Sequence, residues 1–218
     1  MNNKTTLPKT AIYVHGLASG AYSLNFKKMT DRFPQFTWAI AEFGENLAKN
    51  VEHLNRLIAK LKPSLIVGTS MGGLTLLYAD APNATKVVHN PALSIAHCVR
   101  NIIGLGEHPY KCRRLDKKTT FMLTEEMCQA YEAYIASHTP SLGRANYAVF
   151  SAHDELLGDD AAARAQKLVS SLGYQVAIDP EGAHSLTPST IDLIAKEVVN
   201  KEYFRGTSLP NITVKQEK

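Results

Sequence analysis

The feature that most constrains this chain is a pentapeptide. Gly68-Thr69-Ser70-Met71-Gly72 fits the pattern G-x-S-x-G, and Gly73 follows it. The apolar run Leu65 to Val67 comes directly before, and a helix-compatible run, Leu74 to Ala79, comes directly after. A chain that leaves a buried strand and enters a helix within about two residues must reverse sharply, with the serine strained at the tip. Side chains two positions to either side would collide across the turn, and glycine removes the collision. By chance alone the pentapeptide would occur in roughly one chain of this length in fifteen. The strand and helix that flank it make coincidence several-fold rarer.

The rest of the chain supplies the sheet that such a turn needs. Short apolar runs at Ala11 to Val14, Phe36 to Phe43, Lys86 to His89, Tyr147 to Phe150 and Gln175 to Ile178 join Leu65 to Val67 as predicted strands. Between them lie helical patterns. Leu47, Val51, Leu54, Ile58 and Leu61 recur at helical spacing before Pro63. Met71 to Ala81 reads as a helix closed by Pro82, and Asp160 to Leu172 as one with Gly173 at its end. Thr187 is the expected cap of a last helix that starts at Pro188 and stays apolar through Val199. Alternation of this kind predicts an α/β fold of about six mostly parallel strands with helices on both faces. Residues 94–140 interrupt it. They carry a predicted helix from Glu125 to Ser137 and are too long for a loop, so they read as a small helical cap over the carboxyl edge of the sheet. The expectation is a single domain over 1–218, with that insertion and a polar, patternless tail over 202–218.

A serine hydroxyl is a poor nucleophile until a base takes its proton. On this architecture the partners follow in the order serine, acid, histidine. His184 lies just after the last predicted strand, in Glu181-Gly182-Ala183-His184-Ser185, and is the candidate base. Tyr147 to Phe150 leads into Ser151-Ala152-His153-Asp154-Glu155, and Asp154 is the candidate acid, with Glu155 and Asp159 as fallbacks. His15, His89, His97, His108 and His138 all precede Asp154, and His153 stands beside it, so order gives none of them the base position. The first strand ends in His15-Gly16-Leu17, where such folds supply one oxyanion donor. The backbone N–H groups of Leu17 and Met71 are the expected pair. Met71 opens a helix whose first N–H groups lack intrahelical partners.

Composition excludes several other classes. With 44% apolar and 20% charged residues over 218 positions, the chain is ordinary globular protein. Its net charge of +4 is too mild to suggest a nucleic-acid partner. One dense basic run, Lys111 to Lys118, reads either as a solvated face or as a site that attracts anionic substrates. Cys98, Cys112 and Cys128 form no CxxC, which argues against a disulfide framework and fits a reducing compartment. Their spacing from His97 and His108 matches no zinc pattern, so neither a metal nor an organic cofactor is expected. Residues 1–10 are polar, and no apolar run approaches the ~20 residues a spanning helix needs. The sequence therefore predicts a soluble cytoplasmic protein with no membrane or nucleic-acid partner. It sets no oligomeric state.

Five segments in order, Tyr13-Val14-His15-Gly16-Leu17, Gly68 to Gly73, Asn90-Pro91-Ala92, Asp154-Glu155-Leu156-Leu157 and Gly182-Ala183-His184, resemble the small bacterial YqiA/YcfP-like esterases of the α/β-hydrolase superfamily. The resemblance covers about residues 11 to 199. It implies a minimal α/β-hydrolase fold and hydrolysis of a small acyl ester or thioester through Ser70, Asp154 and His184. The chain departs from that family's pattern at His153, where glycine is usual, and over most of 94–140. Two other functions share the scaffold: a non-catalytic binding protein, and an acyltransferase using the same three residues. A helical stripe of Met127, Tyr131, Tyr134 and Ile135 in the insertion is expected either to pack on the core or to line an acyl pocket.

Overall fold

A computed structural model describes residues 9–203, apart from the side chain of Asp159. In chain order the elements are β1 (Lys9–Val14), α1 (Leu24–Arg32), β2 (Phe36–Ile40), α2 (Leu47–Leu61), β3 (Leu65–Thr69), α3 (Met71–Tyr78) and β4 (Thr85–His89). The insertion follows: α4 (Ile95–Cys98), running on as a π-helical turn over Val99–Ile103, then β5 (Gly106–Pro109), β6 (Thr120–Leu123) and α5 (Glu125–Ser137). The chain closes with β7 (Ala145–His153), α6 (Gly158–Ser171), β8 (Gln175–Ala183), α7 (Pro188–Ile194), a second π-helical turn over Ala195–Val199, and α8 (Asn200–Tyr203).

Six strands pair in parallel in the order β2-β1-β3-β4-β7-β8. Strand periodicity divides the core in two. Ile12, Val14, Ile66, Val88, Ala148 and Phe150 point to one face, where α2, α3, α5 and α6 cover them. Ala11, Tyr13, Leu65, Val67, Val87 and Val149 point to the other, against Met29 of α1 and Ile191 and Ile194 of α7. Four of the helices, α1, α2, α5 and α7, start at side-chain caps. Asn46 accepts from the Lys49 N–H and Thr187 from the Thr190 N–H, with Pro188 at the first turn. The chain crosses from β1 to β2 on one side of β1 and returns to β3 on the other. The carboxyl ends of β1 and β3 therefore flank a topological switch point, where open α/β sheets form their clefts.

Several expectations differ in detail. The helix after Ser70 stops at Tyr78 rather than Ala81, because Ala79 turns extended ahead of Pro82. Beyond Ile40 the run to Phe43 leaves the sheet, though Phe43 stays buried. The last strand runs on past Ile178 to Ala183, which brings it to the residue before His184. The insertion contains an antiparallel hairpin, β5 with β6, as well as helix. Helix α1 also goes beyond the sequence reading. Of the expected polar tail, Glu202 and Tyr203 belong to α8. The Tyr203 hydroxyl donates to the Ser64 carbonyl at 2.5 Å, and its ring packs edge-on to Phe36. The rest of the expected tail, 204–218, lies outside the described residues. Among those residues no helix is long and apolar enough to cross a membrane.

Candidate active site

Ser70 follows the last residue of β3 and precedes the first of α3, with φ of 55° and ψ of −121°. That backbone conformation is rare for a residue with a Cβ and marks a strained turn. Its main chain is pinned on both sides. The Ser70 N–H donates to the His89 carbonyl at 2.9 Å, and the Ser70 carbonyl accepts from the N–H groups of Leu74 and Ala92. The two glycines act for different reasons. A Cβ on Gly68 would lie 2.4 Å from the Gly72 carbonyl oxygen, the expected collision across the turn. A Cβ on Gly72 would instead lie 2.1 Å from the Val14 carbonyl oxygen, so this glycine lets the turn dock on β1. Gly16, after β1, is less crowded: a Cβ there would stand 3.2 Å from the Ser70 Cβ, a tight contact rather than a collision.

Three of the predicted side chains meet. His184 Nε2 lies 3.0 Å from Ser70 Oγ, and His184 Nδ1 lies 2.9 Å from each Asp154 carboxylate oxygen. With Nδ1 donating to the carboxylate, Nε2 is left to accept from the Ser70 hydroxyl. Asp154 is buried, and its Oδ1 also accepts the N–H groups of Leu156 and Leu157 at 3.0 and 2.8 Å. Burial alone would raise its pKa. The His184 ring and the two N–H donors outweigh burial and hold it below the usual aspartate range. Leu17 lines the same cleft as Ser70 and His184, while Met71 opens α3, so its N–H has no acceptor within the helix.

The cleft has a volume of about 210 Å³. The stripe of α5 does not line it. The Tyr131 hydroxyl donates to the Glu45 carbonyl, Tyr78 meets Tyr134 edge-on, and Met127 and Ile135 pack on the core. Among the described residues, no group of three or more His, Cys, Asp or Glu side chains could hold a metal, and all three cysteines carry free thiols.

The model of an uncharacterised protein family, UPF0227, matches residues 10–185. The chain belongs to that family. The YqiA/YcfP-like resemblance of its motifs points to the same group, and the matched span holds Ser70, Asp154 and His184. No curated protein matches this UPF0227 chain by sequence. Solved structures match it by fold. Est1E from Butyrivibrio proteoclasticus is 14% identical with a TM-score of 0.58, over 89% of this chain and 87% of that one. Mouse alpha/beta hydrolase domain-containing protein 10 is 12% identical with a TM-score of 0.56, over 92% of each chain. The Paleococcus ferrophilus monoacylglycerol lipase is 13% identical with a TM-score of 0.55, over 88% and 93%. At such identities the likeness shows the α/β-hydrolase fold alone.

The UPF0227 site also uses residues that sequence reasoning left out. The Asn90 side-chain amide donates to the carbonyls of Ala183 and His184 at 3.2 and 3.5 Å, and its oxygen accepts the Ser151 N–H at 2.9 Å. Asp179, buried midway along β8, accepts the hydroxyls of Thr187, Ser189 and Thr190, so the loop carrying His184 is fixed at both ends. The Asn90-Pro91 pair after a strand was the one sequence signal for the first of these. His89 is fully buried, against Ser151 Oγ at 3.0 Å, and does not line the cleft. Burial pushes its pKa down to about 3, so it stays neutral. His15 is a loop brace: Nδ1 donates to the Gly16 carbonyl, and Nε2 accepts the Phe43 N–H.

Proposed function

We propose that this protein is a serine hydrolase that cleaves a carboxylic ester or thioester of a small acyl substrate. Ser70 is the nucleophile, His184 the general base and Asp154 the acid that orients it. The observation that carries this reading is the continuous hydrogen-bonded row from Ser70 Oγ through the His184 ring to the Asp154 carboxylate, with steps of 3.0 and 2.9 Å, beside an open cleft. Ser70 Oγ bonds to the acyl carbon while its proton passes to His184 Nε2. The backbone N–H groups of Leu17 and Met71 stabilise the oxyanion, each donor contributing ~3–4 kcal/mol at the transition state. The imidazolium then gives its proton to the departing alkoxide or thiolate. Water, deprotonated by His184, releases the acid from Ser70.

The fold shared with an esterase and a monoacylglycerol lipase supports this reading. Three free thiols are in keeping with a cytoplasmic site of action. The test is hydrolysis of p-nitrophenyl butyrate together with labelling by a fluorophosphonate probe. Wild type should turn over the ester and take the label at Ser70, and Ser70→Ala should do neither. Equal rates for Ser70→Ala and wild type would refute the assignment. An unlabelled, inactive wild type would favour a binding protein on the same scaffold.

A further inference from the structure

The basic run splits into two kinds of residue. Arg114 is a buried strut that donates to the Ser19 and Phe43 carbonyls and pairs with Glu42 and Asp116 at 3.2 and 2.8 Å. The solvated-face reading therefore fails for Arg114, whose charge is consumed inside the molecule. Lys111 is different. It is the one Lys, Arg, Asp or Glu side chain among the residues lining the cleft beside Ser70. Its main-chain N–H donates to the Ala18 carbonyl at 2.7 Å, which ties it next to the Leu17 loop. Among the described residues no carboxylate pairs with its ammonium. The nearby acids are engaged elsewhere: Glu42 and Asp116 with Arg114, and Glu45 with the Tyr110 hydroxyl.

Most of the cleft lining is apolar, Ile95, Ile102, Ile103, Phe121, Leu156 and Leu157 among it. An acyl chain buried there gains about 25 cal/mol per Å² of apolar surface, whereas an anion would lose its hydration with no partner. Beside Ala18 the lining turns polar, with Ser19 and Lys111. An uncompensated cation at the edge of a low-dielectric cleft concentrates anions there. We propose that Lys111 binds an anionic group, a carboxylate or phosphate, on the leaving-group side. The preferred substrates are then acyl esters or thioesters whose alcohol or thiol carries negative charge. This rests on the serine-hydrolase reading above.

The measurement is kcat/KM for three esters: phenyl butyrate, 4-carboxyphenyl butyrate and the mono-4-nitrophenyl ester of glutaric acid. Using the ratio of 4-carboxyphenyl to phenyl butyrate within each variant removes the difference in leaving-group reactivity. That ratio should fall about tenfold in Lys111→Gln and further in Lys111→Glu, mainly through KM. High salt should lower it in wild type. A ratio unchanged within twofold in Lys111→Gln overturns the proposal. So does an equal fall in Lys118→Gln, which lies outside the cleft lining, since the effect would then be a diffuse field. A selective loss on the glutarate ester would move the anion to the acyl side and also overturn it. A wild type inactive on all three esters refutes the hydrolase reading and this inference with it. An active wild type with an unchanged ratio removes this inference alone.

Discussion

Glu155 accepts the main-chain N–H of His184 at 3.0 Å, one position after the carboxylate that holds the same histidine's ring. One short segment thus grips His184 twice, by backbone and by side chain. This assigns Glu155, a fallback acid on sequence order, to a holding role. Removing an exposed charged acceptor from a loop loosens it by about 1 kcal/mol, so Glu155→Ala should lower kcat/KM for p-nitrophenyl butyrate about five- to tenfold. Glu155→Gln, which keeps an acceptor oxygen, should recover most of that. A thousand-fold loss in Glu155→Ala would make Glu155 the orienting acid.

Asp154→Asn should be far more severe. An amide at that position favours the wrong imidazole tautomer, and the expected loss is about 10³–10⁴-fold in kcat. Its stability effect has a definite pH sign. The folded-state pKa of Asp154 lies below its unfolded value, so its contribution is present above the ordinary aspartate pKa of about 3.9 and is lost as pH falls through the lowered value. Urea midpoints of wild type and Asp154→Asn should differ at pH 7 and converge on acidification through the lowered Asp154 pKa. A gap that stayed constant on acidification would remove the charge of Asp154 as its cause.

Gly72→Ala should disrupt folding. Its Cβ would meet the Val14 carbonyl oxygen at 2.1 Å, and neither strand nor helix can give way there. Overpacking against fixed backbone destabilises by on the order of 3 kcal/mol or more. Gly44→Ala is the control, because a Cβ there meets nothing within 4 Å. Urea unfolding should separate the two clearly. A Gly72→Ala protein as stable as Gly44→Ala would contradict the close docking of the turn on β1.

Most of what positions the site was legible because it is local. The turn at Ser70 is written in consecutive residues, and strand and helix periods show which faces are buried. The order of serine, acid and base then follows the order of the strands. What escaped is non-local or short. Asn90 and Ala183 are 93 positions apart, and no spacing rule joins them. Helix α1 buries Met29 alone among its nine residues, too narrow a stripe to register as a period. The β5 and β6 strands are four residues each, and the turn between them lacks a tight-hairpin signature. Arg114 defeated the reading of charge runs as solvated, because Glu42 and the Ser19 and Phe43 carbonyls, which bury it, lie more than 70 positions earlier in the chain.

Lys86 offers a test remote from the chemistry. It is fully buried at the opposite end of β4 from His89, and its ammonium donates to the carbonyls of Leu77, Ala79 and Ser141 at 3.3, 3.0 and 2.6 Å. Burial pushes its pKa down to about 7, against a small opposing pull from Asp80. Lys86→Met takes the donor from the Ala79 and Ser141 carbonyls, while the Leu77 carbonyl keeps the Ser141 N–H, and should destabilise by roughly 2–4 kcal/mol at pH 7. The pH dependence runs upward. Below about pH 7 both folded and unfolded states carry the proton, and the folded state bears the full cost of the buried charge. Between about 7 and the unfolded value near 10.4, the unfolded chain holds more protons, so wild-type stability rises with pH. Methionine has no such proton, so the stability gap between wild type and Lys86→Met should widen from pH 7 to pH 9.5 by on the order of 2–3 kcal/mol. Urea denaturation at the two pH values measures it directly. A gap that narrowed with rising pH would mean that Lys86 is held as a stabilised cation and that its three carbonyls outweigh its burial.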